Sequence, residues 1–170
     1  MFKAQILGDR VSSNQQEAFS LYDKSNFGEK KLGKIEFSPL ESLYLTDNKK
    51  MQIIQGKKQL GFEDLIKKIK RRDKRIELKF SVYSDLRKKG YVVKTALKFG
   101  ADFRVYKKGV RPGQDHSLWI VHCVKESSSF DWQEFAAKNR VAHSARKSLL
   151  ISIVDDEDSV TYYQVNWMKP

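Results

Sequence analysis

Cysteine occurs once, at Cys123, so the chain cannot close a disulfide on itself, and a reducing cytoplasm is the expected setting. No run of about 18 apolar residues is present, so no transmembrane helix is expected. The opening MFKAQILGDR lacks the apolar stretch of a secretory signal. One cysteine and three scattered histidines cannot build a zinc cluster. There is no Gly-rich phosphate loop, no dinucleotide fingerprint and no GxSxG nucleophile turn. Acids are the scarce charge: 21 Asp and Glu stand against 33 Lys and Arg, a net charge of +12.

A chain this basic favours polyanions, of which nucleic acid is the commonest. The simpler alternative is a lysine-rich surface that serves solubility. An anionic membrane fits less well, because the basic segments are not paired with an apolar helix face bearing Trp or Phe. With 170 residues, 40% hydrophobic and 12% aromatic, the chain can bury one ordinary core or two small ones.

The pattern along the chain is mixed. Lys3 to Asp23 alternates loosely and reads as two short strands around Gly8 and Asp9, followed by a Lys- and Gly-rich loop over Lys24 to Lys34. Ser38-Pro39-Leu40-Glu41 is a helix start: Ser38 caps, Pro39 suits the first helical position and Glu41 completes a capping box. That helix runs to about Asp47, and Met51 to Ile54 reads as a strand stopped by Gly56. From Phe62 to Lys89 the pattern is helical, with stripes Leu65, Ile66, Ile69 and Phe80, Tyr83, Leu86. Between the stripes lies KKIKRRDKR, residues 67–75, with seven positive charges and one negative. It is either a phosphate-contacting face or a solvated helix exterior. The domain boundary is expected here, giving a mixed α/β domain over residues 1–75 and a second domain over residues 76–170.

The second half reads as α/β. Strands are expected over Tyr91 to Leu97, Asp102 to Lys107 and Ser117 to Val124. A helix after Ser127 to Ser129 carries Trp132, Phe135 and Ala136 and continues to about Arg146. Leu149 to Val154 is an apolar run interrupted only by Ser152, the mark of a strand buried on both faces. An aromatic strand over Val160 to Met168 ends the pattern, and such a terminal strand often has a partner to lie against.

Four segments carry a more specific signal: GADFRVY over residues 100–106, DHS over 115–117, RVAHSARK over 140–147, and the closing YY and KP pairs. Together they resemble the catalytic domain of the archaeal tRNA-splicing endonucleases, and the resemblance extends weakly into FSPLESLYL. It implies a small mixed N-terminal domain and a restriction-endonuclease-like catalytic domain, with a mixed sheet flanked by helices. It also implies that Tyr106, His116 and Lys147 are the catalytic residues and that Arg140 clasps a bulged base of the RNA. No metal and no cofactor are expected. The substrate implied is precursor tRNA, cut at a bulge–helix–bulge junction to leave a 2′,3′-cyclic phosphate and a 5′-hydroxyl.

Those residue types suit the chemistry. Cutting RNA by its own 2′-hydroxyl needs a base, an acid for the leaving 5′ oxygen, and a cation for the charge gathering on phosphorus. An imidazole can be the acid at neutral pH, and Lys147 can hold the charge. A tyrosine's ordinary pKa of about 10 leaves roughly one phenol in a thousand ionised at pH 7. Tyr106 can therefore serve as base only beside cations that favour its phenolate; Lys147, Arg104 and Lys107 are candidates, with Lys107 expected on the other face of the strand. His122, mid-strand, reads as structural. His143 reads as a buried, hydrogen-bonded helix residue. Tyr162 lies where an opposing base-clasping residue would be sought and is left unassigned.

The tract Asp155-Asp156-Glu157-Asp158 is unusual in so basic a chain. It reads as a solvated turn, as a weak cation site without EF-hand spacing, or, by the resemblance, as an acidic loop that docks into a basic pocket of a neighbouring subunit. The terminal strand around Tyr163 to Trp167 would add the apolar part of that contact. A homotetramer is expected, or else a heterotetramer with a structural subunit. Two rival functions remain: a metal-dependent DNA nuclease of related fold, for which the carboxylate–x–Lys signature is missing, and a non-catalytic RNA-binding subunit.

Overall fold

The computed structural model describes residues 1–168. The final Lys-Pro pair singled out above lies outside the described residues. The chain forms two compact units, Met1–Phe80 and Ser81–Pro170.

The first unit holds a six-stranded sheet and three helices. In chain order these are β1 (Phe2–Leu7), β2 (Arg10–Ser13), α1 (Gln16–Ser25), β3 (Glu29–Lys31), β4 (Lys34–Phe37), α2 (Pro39–Asp47), β5 (Met51–Gln55), β6 (Lys58–Leu60) and α3 (Phe62–Lys70). The strand order is β3-β4-β2-β1-β5-β6, with β1 and β5 parallel and the other neighbours antiparallel. Strict alternation in β1 buries Phe2, Ala4 and Ile6, which join Ile35, Leu43, Leu45, Ile53 and Leu65 in the buried interior.

The expected capping box at α2 is present. Ser38 Oγ accepts from the Glu41 backbone N–H at 3.3 Å, and Glu41 Oε2 accepts from the Ser38 N–H at 2.8 Å. The same carboxylate does a second job, because its Oε1 accepts from the Gly28 N–H at 2.9 Å. Gly28 has φ +72, and a β-carbon there would sit 2.4 Å from the Ile35 side chain. Only glycine fits that bend.

Two expectations fail in this unit. The segment after β2 is helical, not a second stretch of strand, and residues 24–34 are not simply a loop but contain the β3–β4 hairpin. Every residue of β3 is exposed, so it carries no alternation to read. The long helical pattern also splits, into α3 and α4 (Ile76–Lys88), and the division between the units falls inside α4.

The second unit holds β7 (Val92–Ala96), a short 3₁₀ turn (Leu97–Phe99), β8 (Ala101–Tyr106), β9 (Trp119–Lys125), α5 (Trp132–Ser144), β10 (Ser148–Val154) and β11 (Val160–Val165). The sheet order is β11-β10-β9-β8-β7. Only β9 and β10 are parallel, and α5 is the crossover that lets them be so. Both strands are largely apolar on each face, with His122 and Ser152 the buried polar interruptions.

The register assigns the two faces. Ile120, Leu149 and Ile151 pack with Ala142 of α5. On the opposite face Tyr83 of α4 lies 6.0 Å from the Phe103 ring, and Tyr162 of β11 donates to Asp85 Oδ2 at 2.6 Å. Burial and the Asp85 charge push the Tyr162 phenol well above its ordinary range. Tyr162 is therefore a strut between β11 and α4.

Candidate active site

The site follows from strand direction. Because β8 runs against β9 and β9 runs with β10, the end of β8 and the starts of β9 and β10 meet at one end of the sheet. Val105, Trp119 and Ser148 stand in one cross-strand row, tied by the Leu118 N–H to Val105 O at 2.7 Å and the Ser148 N–H to Leu118 O at 3.2 Å. Tyr106 is one residue beyond that row, Lys147 one residue before it, and His116 three residues before it. The topology alone thus gathers three residues that are far apart in sequence.

They line one cavity of about 470 Å³ with Phe99, Arg104, Gly113, Gln114, Asp115 and Ser117. Tyr106 is only 4% exposed, so it is not a surface packing residue at a strand end. His116 is exposed, on the loop before β9, where its backbone N–H donates to Asp115 Oδ1 at 2.6 Å. Lys147 is half-buried, and its ammonium donates to Ala145 O at 3.2 Å.

Local backbone geometry aims Lys147. Helix α5 is capped at its start by Asp131, whose carboxylate accepts from the Glu134 N–H. At its end Arg146 turns left-handed, with φ 55. The Arg146 N–H donates to His143 O at 2.8 Å and the Lys147 N–H to Ala142 O at 2.9 Å, the paired bonds of a Schellman ending. That reversal sends the chain into β10 and leaves Lys147 at the cavity. The helix ends at Ser144, two residues short of the expected Arg146, because this turn has already begun.

A second cavity of about 820 Å³ adjoins the first, sharing Asp115, His116, Ser117 and Lys147, and adds Lys107, Asn139, His143, Arg146, Asn166 and Trp167 among its lining. Asp115 is the single acid lining either cavity, so this end of the sheet is strongly cationic. Among the described residues no three His, Cys, Asp or Glu side chains cluster as metal ligands would.

Arg140 is exposed on α5 and lines neither cavity. His122 is buried in β9, as expected of a structural residue. His143 is not buried: it is exposed, with its ring 4.3 Å from that of Trp167 in an edge contact, because the last turn of α5 faces the second cavity. Asp155 to Asp158 form the turn between β10 and β11, at the far end of the sheet from Tyr106. Asp155 Oδ1 accepts from the Glu157 and Ser159 N–H groups at 2.9 and 2.8 Å, and Asp158, at φ 62, accepts from Ser81 Oγ at 2.9 Å. Asp156 and Glu157 remain exposed. Ser117, Asn139 and Asn166 also line the cavities. Nothing in their sequence neighbourhood marks them except that Ser117 belongs to the DHS segment.

Family models match both halves of the chain. The model of the tRNA intron endonuclease catalytic C-terminal domain covers residues 76–162, and that of the tRNA intron endonuclease N-terminal domain covers residues 2–66. Relatives named tRNA-splicing endonuclease include one from Thermococcus kodakarensis, 42% identical over 165 residues and covering 96% of each chain. One from Nanoarchaeum equitans is 43% identical over 141 residues, covering 79% of this chain and 90% of that protein. One from Methanothermobacter thermautotrophicus is 34% identical over 166 residues, covering 96% of each.

Proposed function

The chain belongs to the tRNA intron endonuclease family, and from that premise we propose that it is a tRNA-splicing endonuclease. It cuts precursor tRNA at bulge–helix–bulge junctions by attack of a 2′-hydroxyl on its own 3′-phosphate, without a metal, leaving a 2′,3′-cyclic phosphate and a 5′-hydroxyl. The observation that carries this reading is the single cavity shared by Tyr106, His116 and Lys147.

In this reading Tyr106 takes the 2′-hydroxyl proton as the 2′ oxygen closes on phosphorus. His116 gives a proton to the departing 5′ oxygen, and its exposure suits a group that must regain a proton from solvent. Lys147 faces the charge that builds on the non-bridging oxygens. Metal-assisted hydrolysis would need carboxylates around the phosphate, and Asp115 is the only one lining the cavity. Arg140, exposed and outside the cavity, grips a bulged base and does not touch the reacting phosphate; unstacked bases offer such faces.

The decisive substrate is a precursor tRNA with a single 2′-deoxy nucleotide at the cut position. It should bind and resist cleavage, whereas cutting of that strand would end the proposed chemistry. Activity should also survive excess EDTA, and loss of cleavage on chelation would return the metal-dependent alternative.

Assembly is part of the proposal. Asp156 and Glu157 dock into a basic pocket of a second subunit, most simply in a homotetramer, and a heterotetramer with a structural subunit is the alternative. Within the turn Asp155 accepts from backbone N–H groups and Asp158 from Ser81 Oγ, so the docking charge falls to Asp156 and Glu157. Native mass of the double variant Asp156→Ala, Glu157→Ala tests this: a shift to smaller species is expected, and an unchanged mass removes the acidic turn from the interface.

A further inference from the structure

We propose that Arg104 is a positioning residue for the cleavage reaction, acting through Tyr106 by favouring its phenolate. This rests on the reading of Tyr106 as the base. Two residues apart on β8, the two side chains share one face of the sheet and line the same cavity. The guanidinium carbon of Arg104 stands 5.9 Å from the centroid of the Tyr106 ring, within reach of a cation–ring interaction.

What sets Arg104 apart is that its charge is uncompensated. Its Nε is buried and has no hydrogen-bond partner, and among the described residues no carboxylate pairs with its guanidinium. Its cross-strand neighbours are Lys94 on β7 and Ile120 on β9, a second cation and an alkyl chain. Like charges directly opposite on a sheet are unfavourable, and an unsatisfied buried donor costs desolvation that nothing in the free protein offsets. Lys147, by contrast, has a backbone carbonyl for its ammonium, and Lys107 lines the second cavity instead.

The charged groups facing Tyr106 can be named from each element around it. They are Arg104 on its own strand, Lys94 on the same face of β7, Asp115 and His116 on the loop before β9, and Lys147 before β10; α5 contributes none to this cavity. The one acid, Asp115, accepts from the His116 backbone N–H. Of these groups Arg104 is the cation set against the ring itself, while Lys107, next to Tyr106 in the chain, lines the second cavity.

The step it serves balances simply. The 2′-hydroxyl proton passes to the Tyr106 oxygen, the 2′ oxygen bonds to phosphorus, the bond from phosphorus to the 5′ oxygen breaks, and that oxygen takes the proton held by His116. A cation against the ring stabilises the phenolate relative to the phenol, which raises the fraction of enzyme ready for the first transfer.

The test is single-turnover cleavage of a precursor tRNA at saturating enzyme, followed from about pH 5.5 to 9, for Arg104→Met and Arg104→Lys in the full chain. Removing the charge should slow cleavage about tenfold at pH 7 and carry the rising limb of the pH profile upward by about one pH unit, with RNA affinity within about twofold. Arg104→Lys should move the limb by a smaller amount in the same direction. A rate lowered equally at every pH overturns the inference in favour of packing alone, and a defect confined to affinity overturns it in favour of a phosphate grip. If Arg104→Met does not fold, Arg104→Lys decides, and an unmoved limb overturns the inference. Tyr106→Phe separates the two levels: if it cleaves at the parental rate with the parental profile, the assignment of Tyr106 as base fails whatever Arg104 does.

Discussion

Strand β10 begins beside Lys147 and ends beside Asp155, so a cation and an acidic turn occupy opposite ends of one strand, roughly 20 Å apart. The two ends treat charge differently. At the acidic end, backbone N–H groups and a serine hydroxyl take up Asp155 and Asp158, and the turn is held by its own side chains. At the cationic end, Arg104 has no acid partner and Asp115 alone stands among several cations. Where a fold satisfies its charges locally, those charges build structure. Where it leaves them over, facing a cavity, it holds capacity for a polyanion. In the proposed reading the same sheet carries the chemistry at its cationic end and a turn held by local bonds at the other, and strand direction sets the two apart.

Substitutions at the reactive end should damage chemistry and spare stability, and substitutions at the other end should do the reverse. The largest effect is expected at His116→Ala, which should slow single-turnover cleavage by about 10²-fold or more while leaving RNA affinity near normal. Loss of binding with no separate rate defect would demote His116 to a loop residue. Asp155→Ala should cost about 1 kcal/mol by denaturant unfolding, because it strips two N–H groups of their acceptor at an exposed turn, with the cleavage rate per assembled enzyme unchanged. A rate defect there would blur the contrast between the ends.

Tyr162→Phe lies between the ends and sharpens the comparison by alkaline pH. The fold raises the Tyr162 phenol above its unfolded value, so the neutral hydroxyl and its bond to Asp85 contribute stability that is fully present below about pH 10 and is lost as pH rises beyond it. The parent should lose stability above about pH 10 faster than Tyr162→Phe; parallel unfolding curves would remove the hydroxyl from the account. The smallest effect is expected at Arg146→Gly. A left-handed arginine is strained, but glycine frees the unfolded chain, so the net gain should be below about 1 kcal/mol. A loss of thermal stability there would mean that the Arg146 side chain helps hold the reactive end.

Much of the first unit was legible because its signals are local. Ser38, Pro39 and Glu41 announce α2 through bonds made within one helical turn. The alternation of β1 and, in the second unit, the largely apolar runs of β9 and β10 report burial directly. The misses are places where local composition gives no such signal. β3 exposes all of its residues and exists because β4 offers it a ladder. α1 fully buries only Ala18, which leaves no stripe to read. A histidine within a helix reads as buried, whereas His143 is exposed because the cavity at the end of α5 is a feature of the assembled fold.

The sequence by itself determined the cationic balance, the elements with strong local codes, and, through four motif segments, the identity of Tyr106, His116, Lys147 and Arg140 as candidates. It could not state that three of these share a cavity and the fourth does not, that Glu41 also secures Gly28, or that Tyr162 is tied to Asp85. Those facts depend on strand direction and on register between segments tens of residues apart. Hydrogen-bonded ladders fix such relations only once the whole sheet has formed.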